Sequence, residues 1–265
     1  MTGSPIDSGD HGAIPALMAD SRRALLLHAH PDDESLSTGG TIALLVAQGT
    51  HVTVLTGTRG ERGEVVEGPL KKFEGTPGLT TLRENELAAA MSALGVTDHA
   101  FLGTPPARVS GRSQRIYTDS GMIWGAPGVA VAAPDAGPDA LSVASLDEVS
   151  SDIEAALRAV EPDLVITYNA NGGYGHPDHV RMHDAGRRAA QATGIPLLLI
   201  EPEGSSADGP AAGLLHIDIG PWLDSKIAAL AAHQSQLTVL DGGYRLSGGQ
   251  THRLDRTESF RILQS

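Results

Sequence analysis

Short apolar runs recur along this chain with helix-forming stretches between them, and that alternation limits the fold more than any other feature. "ALLLHAH" (24–30), "HVTVLTGT" (51–58), "DLVITYN" (163–169) and "PLLLIE" (196–201) are brief, apolar and rich in branched side chains. Runs of this kind suit strands buried on both faces of a parallel sheet. Residues 37–48, "STGGTIALLVAQ", and 80–95, "TTLRENELAAAMSALG", have helical spacing and are followed by or end in glycine. Further helices are expected from the segment opening at Ser145, from 177–192 and from 221–236; shorter strands are expected at 99–103 and 214–220. Strand–helix alternation over most of the chain predicts an α/β, Rossmann-like fold. Its sheet would be mostly parallel, with helices on both faces and the active site at the carboxyl ends of the strands.

Residues 1–20 are polar, lack a basic start and a long apolar stretch, and read as a flexible N-terminal arm. Residues 21–265 read as a single domain. Residues 104–145 are dense in Gly, Pro, Ala and Ser and break the pattern; they are expected to form a loop insertion bordering the pocket.

No apolar run is long enough to cross a bilayer. Together with the unremarkable N-terminus this predicts a cytoplasmic protein without a membrane partner. The formal charge of −13 and the absence of a dense Lys/Arg cluster argue against nucleic acid. The chain has no cysteine, so a metal site here would need His, Asp and Glu. The first strand lacks a following G-x-G-x-x-G turn, which speaks against a dinucleotide site.

Two histidine–acid clusters follow predicted strands. "HPDDE" spans His30 to Glu34, and "GYGHPDH" spans Gly173 to His179. Both fall on the edge of the sheet where ligands bind. Residue type and spacing suit a His/Asp/His metal site with neighbouring acids left over for proton transfer. They suit a pair of helix-capping turns about equally well.

Beyond this, "HAHPDDESLSTGGTIA", "TGTRGERGEV", "LRENELAAAMSALGV", "VITYNANGGYGHPDHV" and "KIAALAAHQSQL" resemble the LmbE/PIG-L family of metal-dependent N-deacetylases. The likeness leans toward the branch acting on an N-acetylglucosaminyl-inositol in mycothiol biosynthesis. The resemblance implies one Zn²⁺ per chain, with Fe²⁺ also suited, bound by His30, Asp33 and His179. It implies Asp32 as general base, His176 as oxyanion stabiliser or proton donor, and Asp178 as the residue orienting His176. Tyr174 would reach over the reacting carbonyl, and Arg83 would contact substrate hydroxyls. A cationic His176 paired with a carboxylate would suit its two tasks.

The reaction so implied is hydrolysis of the N-acetyl group of a small-molecule amino-sugar conjugate. Alternatives are a mycothiol-conjugate amidase, a deacetylase of another N-acyl glucosaminide in a natural-product pathway, and a noncatalytic sugar-binding α/β protein. The chain is shorter than the mycothiol-type enzymes, chiefly between residues 194 and 215, so the reaction is better supported than the substrate. The oligomeric state is not encoded in any feature read here. Glu34 reads as a helix-start acid. His28 reads as a core or supporting histidine. His233 reads as packing or loop support.

Overall fold

The computed structural model describes residues 15–125, 130–201 and 214–263. In chain order the elements are α1 (Ala16–Ala19), β1 (Arg23–His28), α2 (Asp33–Ala47), β2 (His51–Thr56), α3 (Gly78–Leu94), β3 (Asp98–Phe101), β4 (Met122–Trp124), β5 (Ala130–Ala132) and α4 (Leu146–Val160). They continue with β6 (Leu164–Tyr168), α5 (Gly172–Gly175), α6 (Pro177–Thr193), β7 (Leu197–Glu201), β8 (Leu214–Asp218), α7 (Leu223–Ala232), β9 (Leu237–Leu240), β10 (Gly243–Leu246), β11 (Thr251–Arg253) and β12 (Thr257–Leu263).

The main sheet has the order β3-β2-β1-β6-β7-β12-β8. Its first five strands run parallel. β12 is antiparallel to both of its neighbours. The expected mostly parallel α/β sheet is therefore present, with a mixed edge. The apolar runs fill its middle: Leu25, Leu26, Leu27, Val165 and Ile166 are all fully buried. α2, α3 and α7 pack together as one helical layer, and α4 packs with α6 as another. β1 contacts members of both layers, which is why it is apolar on both faces.

Chain order puts β2 on one side of β1 and β6 on the other, so the winding reverses between β1 and β6. A crevice opens beyond the carboxyl ends of the strands at such a switch point. The "HPDDE" turn follows β1 and the "GYGHPDH" turn follows β6. The topology thus brings the two clusters together from nearly 150 residues apart (His30 to Asp178 is 148).

Several boundaries differ from the sequence expectation. Part of the expected N-terminal arm, Ala16–Ala19, is a helical turn with Met18 buried in the core, and Gln48 Nε2 donates to the Met18 carbonyl at 2.6 Å. Residues 1–14 lie outside the described residues. α2 starts at Asp33, four residues earlier than expected, because Asp33 and Glu34 suit the positive end of a helix. α7 stops at Ala232; His233–Gln236 turns away, and β9, β10 and β11 form a separate antiparallel sheet. Within the 104–145 segment, β4 and β5 pair as antiparallel strands, and residues 126–129 lie outside the described residues. No described helix is long and apolar enough to cross a membrane.

Candidate metal and catalytic site

Asp33 is the centre of the site. Its Oδ2 accepts the His30 amide at 2.8 Å and the Tyr168 hydroxyl at 2.7 Å. The same oxygen lies 3.3 Å from His30 Nδ1 and 3.3 Å from His179 Nε2. Tyr168 ends β6, accepts the Ala29 amide at 2.9 Å and stacks on the His179 ring at 4.1 Å. Burial would raise the Asp33 carboxyl, but His179 and His30 outweigh it and hold it well below the usual carboxylate range.

Each imidazole is oriented by a partner on its far side. His179 Nδ1 lies 3.2 Å from the Gly172 carbonyl, so Nδ1 carries the proton and the Nε2 lone pair faces Asp33. That Nε2 is buried with no hydrogen-bond partner among the described residues. Gly172 is required for this approach: it sits at φ 59°, and a Cβ there would meet Val180 N at 2.8 Å and His179 Cβ at 2.9 Å. On His30, Nδ1 faces Asp33 and Nε2 donates to Asp178 Oδ2 at 3.1 Å. Asp178 is fully buried and also accepts both the amide (2.9 Å) and the hydroxyl of Ser120. Burial pulls His30 down, but Asp119, Asp178 and Asp33 more than compensate, and the ring titrates well above the usual imidazole range.

These donors fit a divalent cation. Asp33 Oδ2 lies 3.3 Å from each of the two nitrogens, a spacing that a shared cation with bonds of about 2.0–2.1 Å would allow. An orphaned, buried imidazole nitrogen aimed at a carboxylate needs such a partner. Mutual donor distances within 4.8 Å group His30, His176 and His179, and His30, Asp119, His176 and Asp178. Both of those sets omit Asp33, and both use His176. His176 Nδ1 is occupied by the Asp178 amide at 3.2 Å, which leaves Nε2 as its available nitrogen.

That amide contact revises one expectation. Asp178 touches His176 through its backbone, as the first turn of α6, while its carboxylate serves His30. A second expectation changes with it. Burial, helped by the His30 and His179 charges, pushes His176 down to about 2, so the ring is neutral rather than cationic. With Nδ1 accepting, its proton sits on Nε2. The ring lies edge-on to His30, centroids 4.6 Å apart, and 4.9 Å from His179. Tyr174 is more than half exposed at 54% and presents its ring edge to His176 (6.0 Å) and His179 (5.4 Å). It therefore stands at the rim, over the histidines.

Asp32 is half-buried beside this group and sits at φ 106°, ψ −31°. Desolvation pushes its carboxyl up to about 7, with Asp33 adding to the rise and His233 and Arg83 opposing it. Arg83 is not laid open to solvent. It is 4% exposed; Nη1 donates to the Gly60 carbonyl, Nη2 to the Glu64 carbonyl at 3.1 Å, and Nε has no partner among the described residues. It braces the "RGERGE" loop under the site and feels the charge of Asp32.

Three contributors escaped the sequence reading. Asp119 places Oδ1 3.8 Å from His30 Nε2 and accepts the Gly121 amide at 2.8 Å. Ser120 holds Asp178. Both lie in the irregular 104–145 segment, where no periodicity marks them. Tyr168 had a usable signal, a hydroxyl-bearing side chain at the carboxyl end of the strand beside β1. Of the residues read as bland, His28 is fully buried with Nε2 3.0 Å from the Thr38 hydroxyl. Glu34 and His233 are buried and paired at 2.8 Å.

Comparison with known proteins identifies the family. Residues 25–190 match the family model PIG-L, described as GlcNAc-PI de-N-acetylase. A 1D-myo-inositol 2-acetamido-2-deoxy-alpha-D-glucopyranoside deacetylase from Saccharopolyspora erythraea is 37% identical over 90% of this chain and 88% of its own. Its counterpart from Kineococcus radiotolerans is 44% identical over 78% of this chain, which spans only 51% of that relative's length. Among solved structures, the N,N'-diacetylchitobiose deacetylase from Pyrococcus horikoshii, complexed with an inhibitor, superposes with a TM-score of 0.61 at 19% identity, covering 95% of this chain and 87% of that one. The zinc-inhibited form of teicoplanin deacetylase Orf2 gives 0.58 at 21% identity, covering 91% and 97%. At those identities the structures speak for the shared fold, while the matched family region contains both histidine–acid turns. The chain belongs to the PIG-L (LmbE-like) family.

Proposed function

We propose that this protein is a zinc-dependent N-deacetylase that hydrolyses the N-acetyl group of an N-acetylglucosaminyl-inositol type conjugate, releasing acetate and a free amine. The observation that carries this reading is the buried convergence of His30 Nδ1 and His179 Nε2 on one oxygen of Asp33, next to a carboxylate and a neutral imidazole that are left free. His30, Asp33 and His179 would hold the cation, with Fe²⁺ also suited to two imidazoles and a carboxylate. The names of the relatives supply the substrate class.

When bound, zinc lowers the pKa of water and polarises the amide carbonyl. The remaining tasks fall to the chain's own side chains. Asp32, poised near neutrality, accepts the proton of the attacking water and passes it to the leaving nitrogen as the C–N bond breaks. The Nε2–H of neutral His176 donates to the carbonyl oxygen as negative charge develops there. Tyr174 closes over the carbonyl from the rim and excludes water. Arg83 fixes the loop at 59–64 through the Gly60 and Glu64 carbonyls. Asp178 and Gly172 keep the two imidazoles turned toward Asp33.

The test is acetate release from a panel of N-acetylglucosaminides with the inositol conjugate included, with added Zn²⁺ or Fe²⁺ and after chelation. Fastest release from the inositol conjugate, abolished by chelation and restored by zinc, is the expected result. Cleavage of mycothiol conjugates in preference would make the protein an amidase. Sugar binding without acetate release would make it noncatalytic.

A further inference from the structure

Asp32 and Glu161 are the two non-glycine residues at positive φ among the described residues. Glu161 ends α4 in the left-handed region usual for a helix terminus. Asp32, at φ 106° and ψ −31°, lies outside that region. A side chain held there costs about 1–3 kcal/mol and persists only where its surroundings over-determine it.

The surroundings are a chain of contacts from the other end of the molecule. The Asp32 amide donates to Glu34 Oε2 at 3.1 Å. Glu34 Oε1 accepts the Ser35 hydroxyl at 2.5 Å and faces His233 Nε2 at 2.8 Å. Glu34 and His233 are both fully buried. The other ring nitrogen of His233 is 3.2 Å from the Gln236 side-chain amide. The His233–Gln236 turn is pinned in its turn by Glu86 of α3, which accepts both the amide (2.7 Å) and the hydroxyl (2.6 Å) of Ser235.

A helix-start carboxylate does not call for this. A capping contact is worth about 1 kcal/mol and works at the surface. Burying a carboxylate and an imidazole together loses several kcal/mol of hydration per ion. The pair also lies beside the one strained peptide of the site. We propose that Glu34 and His233 are positioning residues for the general base. They lock the Pro31–Asp32 peptide so that the two adjacent carboxylates part, Asp33 turning to His30 and His179 and Asp32 staying out of that contact to take the proton. This deepens the deacetylase reading and rests on it for the role of Asp32.

The test uses the full chain with His233→Leu, which keeps bulk and loses the donor, and His233→Gln, which returns a donor to Glu34. One readout needs no turnover. Hydrogen exchange at the Asp32 amide, followed by NMR, should accelerate by about tenfold or more in H233L and return toward wild type in H233Q. The second readout is kinetic, at matched zinc stoichiometry. kcat on the N-acetylglucosaminyl-inositol should fall about 10–100-fold in H233L, the scale of a lost outer-shell contact, with KM within about twofold and most of kcat regained in H233Q. Unchanged Asp32 exchange in H233L would overturn the proposal. Equal kcat losses in the two variants, in step with lost folded protein, would do the same. If H233L does not fold, Glu34→Gln is measured instead, with the same direction expected in both readouts. A wild type inactive on every acetylated sugar would sink the deacetylase reading, while the exchange experiment would still decide the positioning device.

Discussion

His30 Nε2 and the Asp178 carboxylate meet at 3.1 Å on the side of the ring opposite Asp33. An imidazole gripped in this way has a fixed tautomer, a fixed plane and a more basic second nitrogen, which are the properties a metal ligand needs. Asp178→Asn would keep the shape and remove the charge. Its expected effect is a zinc affinity about 10–100-fold weaker, measured by competition against a chromogenic chelator, with the fold intact by circular dichroism. Unchanged affinity would mean that Asp178 serves only the helix start.

Asp32 and Asp33 are neighbours with different surroundings. Replacing Asp32 with Asn should leave zinc affinity within a few-fold of wild type and lower kcat about 10²–10⁴-fold, the scale of a lost general base. The base works only when ionised, so activity rises with pH through its pKa and is lost below it. Desolvation sets that carboxyl at about 7, and a cation held by Asp33 would lower it. The acidic limb of the wild-type kcat profile should therefore fall at or below about 7 and be missing from the residual activity of D32N. A D32N protein that no longer binds zinc would make Asp32 a ligand.

Tyr168 donates to Asp33 and stacks on His179. Tyr168→Phe removes the first contact and keeps the second. The Ala29 amide also loses its acceptor, since it donates to the same hydroxyl. We expect about 1–3 kcal/mol of lost stability from that unpaired donor, read from urea midpoints, together with weaker zinc binding. Equal midpoints and equal affinity would show that water replaces the hydroxyl without penalty.

His99 offers a pH test remote from the site. It lies on β3 with Nε2 3.1 Å from the Thr56 hydroxyl and its ring edge-on to Phe101 at 4.7 Å. Burial lowers it to about 4, against an unfolded value near 6.5. Between those values the unfolded chain binds the extra proton, so the contribution of neutral His99 is present above pH 6.5 and lost as the pH falls toward 4. Its share is about 2 kcal/mol by pH 4.5. Denaturant titrations at pH 7.5, 6 and 4.5 should show H99Q losing stability on acidification by about that much less than wild type.

The parallel half of the fold was legible because a strand buried on both faces leaves a bare apolar run, and β1, β2, β6 and β7 all do so. The two turns carrying His30, Asp33, His176 and His179 were legible because they follow such strands, although spacing left capping turns open and the family resemblance supplied the roles. β12 was not read. Its sequence, "TESFRIL", opens with three polar residues, one of which, Glu258, is buried. Asp119 and Ser120 went unread for another reason: their positions depend on loop contacts with Glu61 and Asp178, which no local pattern encodes. Asp178 does contact His176, through its amide, and only coordinates show that its carboxylate reaches His30.

The position of β12 has a consequence for biosynthesis. β8 pairs with β12 and, among the described residues, with no other strand. β12 begins at Thr257, well after β8 ends at Asp218. At a translation rate of roughly 5–20 residues per second, β8 leaves the ribosome about 2–8 seconds before its partner. During that interval the β7 edge is also bare, because β12 is the strand that covers it. The nascent chain thus carries two unsatisfied strand edges until β12 has been made, and that is the window in which a chaperone would engage it or a neighbouring nascent chain would pair with it by mistake.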